Sequence, residues 1–82
     1  MEVLFQEEKH MRKVYRMEEL DCANCARKME DAIRKIEGVE NVTVNFLTQK
    51  MILQAEDSRF ESILQQAIKI CRRVEPDCRI IL

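Results

Sequence analysis

The sequence describes a short, charge-balanced chain of 82 residues, 46% of them hydrophobic and 35% charged. A chain of this length forms one small domain, which buries only about 60% of the surface that its unfolded form exposes. The formal net charge of −1 argues against nucleic acid as a partner, because nucleic-acid-binding proteins need a clustered cationic face. No apolar run approaches the roughly 20 residues of a membrane-spanning helix, so we expect no direct membrane insertion.

The first ten residues differ in character from the rest of the chain. Residues 2–6 read Glu-Val-Leu-Phe-Gln, which resembles a viral 3C-protease recognition sequence used in expression vectors, and His10-Met11 resembles a cloning junction. A native charged tail is the alternative interpretation. We therefore expect residues 1–10 to be a vector-derived or disordered tail, residues 11–82 to form the domain, and the domain to come from a larger protein.

Alternating residues predict a first strand over residues 13–19, with Tyr15 and Met17 on one face. The period is then lost over residues 20–24, which indicates a loop. From Cys25 onward the apolar spacing becomes helical, with Asn24 as the predicted N-cap and Gly38 as the stop. The apolar stripe of this helix consists of Ala26, Met29, Ile33 and Ile36.

The second half of the chain begins with a predicted hairpin, in which Val42, Val44 and Phe46 alternate and residues 51–55 return after a turn. The segment from Ser58 to Glu61 has the form of a capping box and predicts a second helix. Pro76 ends this helix, and alternation then predicts a last strand. The helical stripe is Phe60, Leu64, Ala67, Cys71 and Val74, and the strand residues are Cys78, Ile80 and Leu82.

The resulting order, βαββαβ, predicts an α+β ferredoxin-like sandwich. Both helices are amphipathic and the strands alternate, so the helices should cover one face of a four-stranded antiparallel sheet. In that arrangement the first strand lies beside the last. The loop that carries Cys22 should therefore face the Glu75-Pro76-Asp77 turn.

Cys22 and Cys25 are the residues most suited to chemistry. A Cys-X-X-Cys spacing lets two sulfurs bind one metal ion at about 2.3 Å. Cys25 lies in the first turn of the predicted helix, where free N–H groups and the helix dipole favour a thiolate. The sequence therefore predicts Cys25 to be the thiol of low pKa, and the same features also suit thiol–disulfide exchange.

The segment Leu20-Asp21-Cys22-Ala23-Asn24-Cys25-Ala26 resembles the loop of heavy-metal-associated domains, whose usual form is Gly-Met-X-Cys-X-X-Cys. The strand and helix order from about residue 12 to residue 82 fits the same family. The resemblance implies that Cys22 and Cys25 are metal ligands. It also implies a cytosolic domain that captures and transfers a metal, either as the N-terminal part of a metal-exporting P-type ATPase or as a small metallochaperone, but not an enzyme by itself.

Two departures from the family pattern bear on the metal. Glu19-Leu20 replaces the usual Gly-Met, and Leu20 can still fill the core beneath the loop. Asp21 precedes the first cysteine, as in relatives that export zinc, cadmium and lead. Because Zn(II) and Cd(II) seek four ligands and accept a carboxylate, we expect one of these ions, with Pb(II) as a further divalent cargo and Cu(I) as the alternative.

The other candidate residues each have a structural explanation. Asp21 could simply hydrogen-bond the helix start, and Glu75 and Asp77 could be ordinary turn residues instead of further ligands. Cys71 and Cys78 fall on apolar faces, so core packing is favoured over a four-cysteine structural zinc site. An oxidoreductase of the thioredoxin or glutaredoxin class is the remaining alternative, although the residues between Cys22 and Cys25 do not include a proline.

Overall fold

The computed structural model describes residues 10–82, and the predictions for residues 1–9 lie outside that range. The elements follow the predicted order: β1 (His10–Glu18), α1 (Ala23–Arg34), β2 (Val39–Asn45), β3 (Lys50–Glu56), α2 (Phe60–Val74) and β4 (Arg79–Ile81). A 3₁₀ turn, Asp57–Arg59, precedes α2. The strands form one antiparallel sheet in the order β2-β3-β1-β4. The predicted ferredoxin-like fold is confirmed.

The pairing of β1 with β4 places the first and last strands of the fold side by side. Glu18 pairs with Arg79 and Arg16 pairs with Ile81. The end of β1 therefore lies beside the start of β4, so the segments just after Glu18 and just before Arg79 meet at one end of the sheet. This is the predicted meeting of the Cys22 loop with the Glu75–Asp77 turn.

The core lies between the sheet and the two helices. Met17 from β1, Met29 and Ile33 from α1, and Leu53 from β3 are each at most 1% exposed. Because every second strand residue points into this layer and the chain has no Trp, aliphatic and Met side chains fill it. Neither helix within residues 10–82 has the length and apolarity that crossing a bilayer requires.

Several predicted boundaries were wrong at the ends of elements. The first strand begins at His10 instead of residue 13, because His10 pairs with Glu56 and its Nδ1 lies 3.1 Å from a carboxylate oxygen of Glu40. Helix α1 ends at Arg34, and a tighter turn over Lys35 and Ile36 follows it. Gly38 instead supplies the positive φ of +100° that leads the chain into β2.

Both predicted helix caps were also wrong. The N-cap of α1 is Cys22 instead of Asn24, and its sulfur accepts a hydrogen bond from the backbone N–H of Cys25. No side chain caps the start of α2, so the capping box from Ser58 to Glu61 does not form. Instead Ser58 lies within the 3₁₀ turn that leads into the helix. A local turn takes the place of the side-chain cap here.

Candidate metal centre

Cys22 lies at the start of α1 and caps it. Its backbone is extended, and its Sγ accepts a hydrogen bond from the backbone N–H of Cys25 at 3.4 Å. The first N–H groups of a helix have no partner within the helix, so an anionic sulfur at this position is stabilised both by the N–H and by the helix dipole. The side chain of Cys22 is exposed. It is therefore accessible to an ion arriving from solvent.

Cys25 lies one turn further along and faces the opposite segment of the chain. Its Sγ donates to Oε1 of Glu75 at 3.7 Å, across 50 residues of sequence. Glu75 is the C-cap of α2; its N–H donates to the carbonyl of Cys71 at 2.9 Å, and its own carbonyl accepts from the N–H of Cys78 at 3.0 Å. These backbone hydrogen bonds hold the carboxylate beside the cysteine pair.

The two thiols differ in acidity, and the lowered pKa predicted for Cys25 is found at Cys22 instead. The N–H of Cys25 lowers the pKa of Cys22 below its ordinary value. The hydrogen bond to Cys22, then burial, and then the negative charges of Cys22 and Glu75 raise the pKa of Cys25. The prediction erred because a helix N-terminus stabilises the sulfur that accepts its N–H group, and that sulfur belongs to the N-cap residue.

Asp21 and Asp77 are less closely tied to the cysteine pair than Glu75 is. Both are exposed, and neither carboxylate makes a hydrogen bond within residues 10–82. Asp21 therefore does not hydrogen-bond the helix start, which was the structural explanation for it. Its charge still contributes to raising the pKa of Cys78, so its carboxylate lies at the same end of the sheet.

The structure thus assembles Cys22, Cys25 and Glu75 at one end of the sheet, with Asp21 beside them. Among the described residues, no group of three His, Cys, Asp or Glu side chains is arranged closely enough to hold an ion as it stands. The sequence-predicted ligands meet in the expected region, and the contact of Glu75 with Cys25 is the one that the structure shows.

Sequence reasoning missed Gln49, which lies in the β2–β3 turn and contacts the metal loop, defined here as residues 19–22. Its Oε1 accepts from the N–H of Leu20 at 3.2 Å, and its Nε2 donates to the carbonyls of Leu20 and Phe46. The contact spans 29 residues of sequence, so no local pattern indicated it. Two consecutive peptide groups of the metal loop are thereby held by one side chain.

Backbone strain marks both sides of this contact. Glu19 has φ +62° and Gln49 has φ +58°, a left-handed conformation that costs a residue with a side chain roughly 1–2 kcal/mol. Glu19 stands where the family usually has glycine, which adopts this conformation freely. Leu20 is fully buried, so the predicted filling of the core beneath the loop is confirmed.

Cys71 and Cys78 lie in a different environment. Each is 1% exposed, and both line a cavity of about 190 Å³ beside Ile68 and Ile80. Burial raises the pKa of Cys71 to about 12 and that of Cys78 to about 11. Both are therefore neutral, apolar side chains of the core, which agrees with the packing role predicted for them.

Comparison with known proteins agrees with this arrangement. The family described as "Heavy-metal-associated domain" matches residues 14–71, which include the metal loop with Cys22, and Cys25. The chain belongs to the heavy-metal-associated domain family. Domains of this family are small metal-binding domains.

Two curated relatives are transport ATPases. The chain is 45% identical over 51 residues to a zinc/cadmium/lead-transporting P-type ATPase of Escherichia coli, covering 58% of this chain and 7% of the relative. It is 37% identical over 73 residues to a probable cadmium-transporting ATPase of Staphylococcus aureus, covering 79% and 9%. This heavy-metal-associated domain therefore spans less than a tenth of the length of either relative.

A solved structure shows the same fold. It is the N-terminal domain of a potential copper-translocating P-type ATPase from Bacillus subtilis in the Cu(I)-loaded state. The TM-score is 0.71 with 22% sequence identity, and the match covers 88% of each chain. At that identity the likeness supports the ferredoxin-like fold and does not identify the metal.

Proposed function

We propose that this heavy-metal-associated domain captures Zn(II) or Cd(II) through the thiolates of Cys22 and Cys25 and transfers the ion to a partner. The observation that carries the proposal is the pairing of an exposed N-cap cysteine with a half-buried cysteine that faces Glu75. Thiolates are the ligands that these ions prefer. The exposure of Cys22 to solvent also suits an ion that must leave again.

The carboxylates decide which ion is held. Two thiolates satisfy a two-coordinate Cu(I) ion, whereas Zn(II) and Cd(II) take up four ligands and carry a second positive charge. Glu75 already contacts Cys25, and Asp21 precedes Cys22 in the exposed metal loop. We infer that Asp21 is the third ligand and that Glu75 either completes the site or compensates its charge. Pb(II) fits the same donors, and Cu(I) is the alternative cargo.

The destination of the ion is inferred from the relatives. The two ATPases described above are named as transporters of zinc, cadmium and lead and of cadmium, respectively. We infer that the domain lies on the cytosolic side of a metal-exporting P-type ATPase. There it would receive metal from a donor protein or pass it to the rest of the transporter. The domain supplies binding and transfer, and the ATPase would supply catalysis.

The selectivity of the site provides the test. Asp21→Ser should weaken Zn(II) or Cd(II) binding by about tenfold or more, equivalent to about 1.4 kcal/mol, and should change Cu(I) binding far less. Competitive titration against chromophoric chelators under anaerobic, reducing conditions measures both ions. Asp57→Ser is the matched control, since it removes the same charge from an exposed residue at the other end of the sheet. Equal Zn(II) affinity of wild type and Asp21→Ser would contradict the assignment of Asp21.

A thiol–disulfide oxidoreductase is the second candidate, and one observation favours it. A thiol of lowered pKa followed by one of raised pKa is also the arrangement that disulfide exchange uses. The reduction potential and an insulin-reduction assay separate the two functions. A strongly reducing potential without insulin reduction, together with tight metal binding, is the result that we expect for a metal-transfer domain.

A further inference from the structure

We propose that Gln49 is a positioning residue for the metal loop and that it contributes to selectivity for divalent ions. The inference rests on the proposed function, because it concerns how Asp21 reaches an ion at that site. Gln49 belongs to the turn between β2 and β3, and it is not itself a ligand. It acts on the loop through Leu20, the residue immediately before Asp21.

The side chain of Gln49 makes two hydrogen bonds to the backbone of Leu20. We call this pair of bonds the clamp, and each bond is one of its arms. One arm is the Oε1 of Gln49, which accepts from the N–H of Leu20, and the other is its Nε2, which donates to the carbonyl of Leu20. These groups belong to the peptide units on either side of Leu20. Fixing both units fixes the backbone direction in which the chain enters Asp21. The Nε2 also donates to the carbonyl of Phe46 at 3.0 Å, which anchors the clamp in its own turn.

The backbone of Gln49 supports a role for this particular side chain. Its φ of +58° is a conformation that Asn and Gly adopt more readily than Gln. A residue kept in a strained conformation indicates that its side chain contributes something that the easier residues would not. Asn would relieve the strain, but its side chain is one methylene shorter and could not reach both polar groups of Leu20.

The consequence for metal binding differs between ions. Cys22 and Cys25 belong to the start of α1, where their positions are set by the helix and by the N–H···S hydrogen bond. Asp21 has no such anchor, since its carboxylate makes no hydrogen bond within the described range. Loss of the clamp should therefore disturb Asp21 more than the thiol pair. Ions that need the carboxylate should lose more affinity than Cu(I), which needs only the sulfurs.

Two variants of Gln49 test the proposal. Gln49→Asn keeps a residue that tolerates the turn but shortens the side chain, and Gln49→Glu keeps the length but removes the donor to the carbonyls of Leu20 and Phe46. The control is Gln54→Asn, which shortens a glutamine in β3 whose Nε2 donates to Glu40 at 2.9 Å. Thermal unfolding of each variant shows whether the fold is retained.

The first readout is made without metal. Amide hydrogen exchange at Leu20, followed by NMR, should accelerate about tenfold in Gln49→Asn, less in Gln49→Glu, and not in Gln54→Asn. The second readout is the ratio of Zn(II) to Cu(I) affinity, which should fall several-fold in Gln49→Asn with the melting temperature nearly unchanged.

The possible results distinguish the Gln49–Leu20 clamp from its role in selectivity and from the proposed function. Unchanged exchange at Leu20 would overturn the clamp, and equal losses of Zn(II) and Cu(I) affinity would overturn its role in selectivity. Failure of the wild-type protein to bind any of these ions would overturn the proposed function instead. In that case the exchange measurement would still decide whether Gln49 holds the loop.

Discussion

The chain uses cysteine in two ways, and the two pairs lie at neighbouring positions in the fold. Cys22 and Cys25 lie at the start of a helix, one exposed and one half-buried. Cys71 and Cys78 lie in the core at 1% exposure each. Cys22 accepts a backbone N–H group, which suits a negative sulfur, while burial raises the pKa of both core thiols and favours their protonated form.

This comparison shows that the residue type alone does not identify a metal ligand. The same thiol is made acidic by one backbone N–H at a helix end, and is made inert by the loss of water around it. A protein that contains both environments provides its own control. Metal binding and alkylation depend on thiolate character, so they should depend mainly on Cys22 and Cys25. The free energy of unfolding depends on packing, so it should depend mainly on Cys71 and Cys78.

The two cysteine pairs should differ most in their contribution to metal affinity. Cys22→Ser or Cys25→Ser should weaken Zn(II) or Cd(II) binding by at least about 100-fold, since the loss of an outer-shell partner alone can cost up to that amount. Cys71→Ala should leave the affinity nearly unchanged and lower the free energy of unfolding by about 1 kcal/mol. Calorimetric or chelator titration measures the first effect, and urea unfolding measures the second. Tight binding by a Cys22→Ser/Cys25→Ser double variant would refute the assignment of the ligands.

The next largest difference between the two pairs is expected in the rate of alkylation. Near neutral pH, iodoacetamide should label Cys22 first, then Cys25, with Cys78 and Cys71 slower by about 100-fold or more, because only the thiolate reacts and each unit of pKa changes its fraction about tenfold. Peptide mapping by mass spectrometry after timed quenching gives the four rates. Faster labelling of Cys25 than of Cys22 would contradict the capping geometry.

The smallest effect is expected in stability at alkaline pH. Burial raises the pKa of Cys71 from 9.0 to about 12, so the unfolded chain loses this proton before the folded chain does. The free energy of unfolding should therefore be unaffected by this group below pH 9 and should fall above it. The slope is at most about 1.4 kcal/mol per pH unit for one thiol.

Denaturant unfolding at a series of alkaline pH values tests that sign. The difference between wild type and Cys71→Ala isolates the contribution of Cys71 from those of Tyr15 and Cys78, whose pKa values are also raised. A difference that does not change with pH would show that Cys71 is solvated in the folded state.

The sequence predicted the elements whose residues repeat with a regular period. The stripes of both helices and the alternation of Val42 and Val44 indicated buried faces, and these faces are buried in the structure. The helix ends were harder to predict from the sequence, because capping depends on the direction of single side chains. A cysteine at the N-cap lies outside the usual preference for Ser, Thr, Asp and Asn. That error placed the thiol of low pKa at Cys25, whereas the N-cap position lowers the pKa of Cys22.

The site was predicted only in part for a related reason. The approach of Glu75 to Cys25 follows from strand order, since the first and last strands of this fold are neighbours. The contact of Gln49 with Leu20 depends on where one turn side chain points, and no strand order determines it. Sequence spacing therefore identified the proposed ligands and missed Gln49, the residue that contacts the loop before them.

The backbone hydrogen bonds of Glu75 have one more consequence. Its N–H is bonded to the backbone carbonyl of Cys71 and its carbonyl to the backbone N–H of Cys78, so the carboxylate beside Cys25 belongs to a turn that is bonded to two buried residues. An increase of volume in the interior should therefore be transmitted to the surroundings of the proposed metal site. A bulkier residue at position 71 would shift the turn that carries Glu75 and alter the ion's environment without touching a ligand. Adaptation to a different metal could in this way begin in the hydrophobic core.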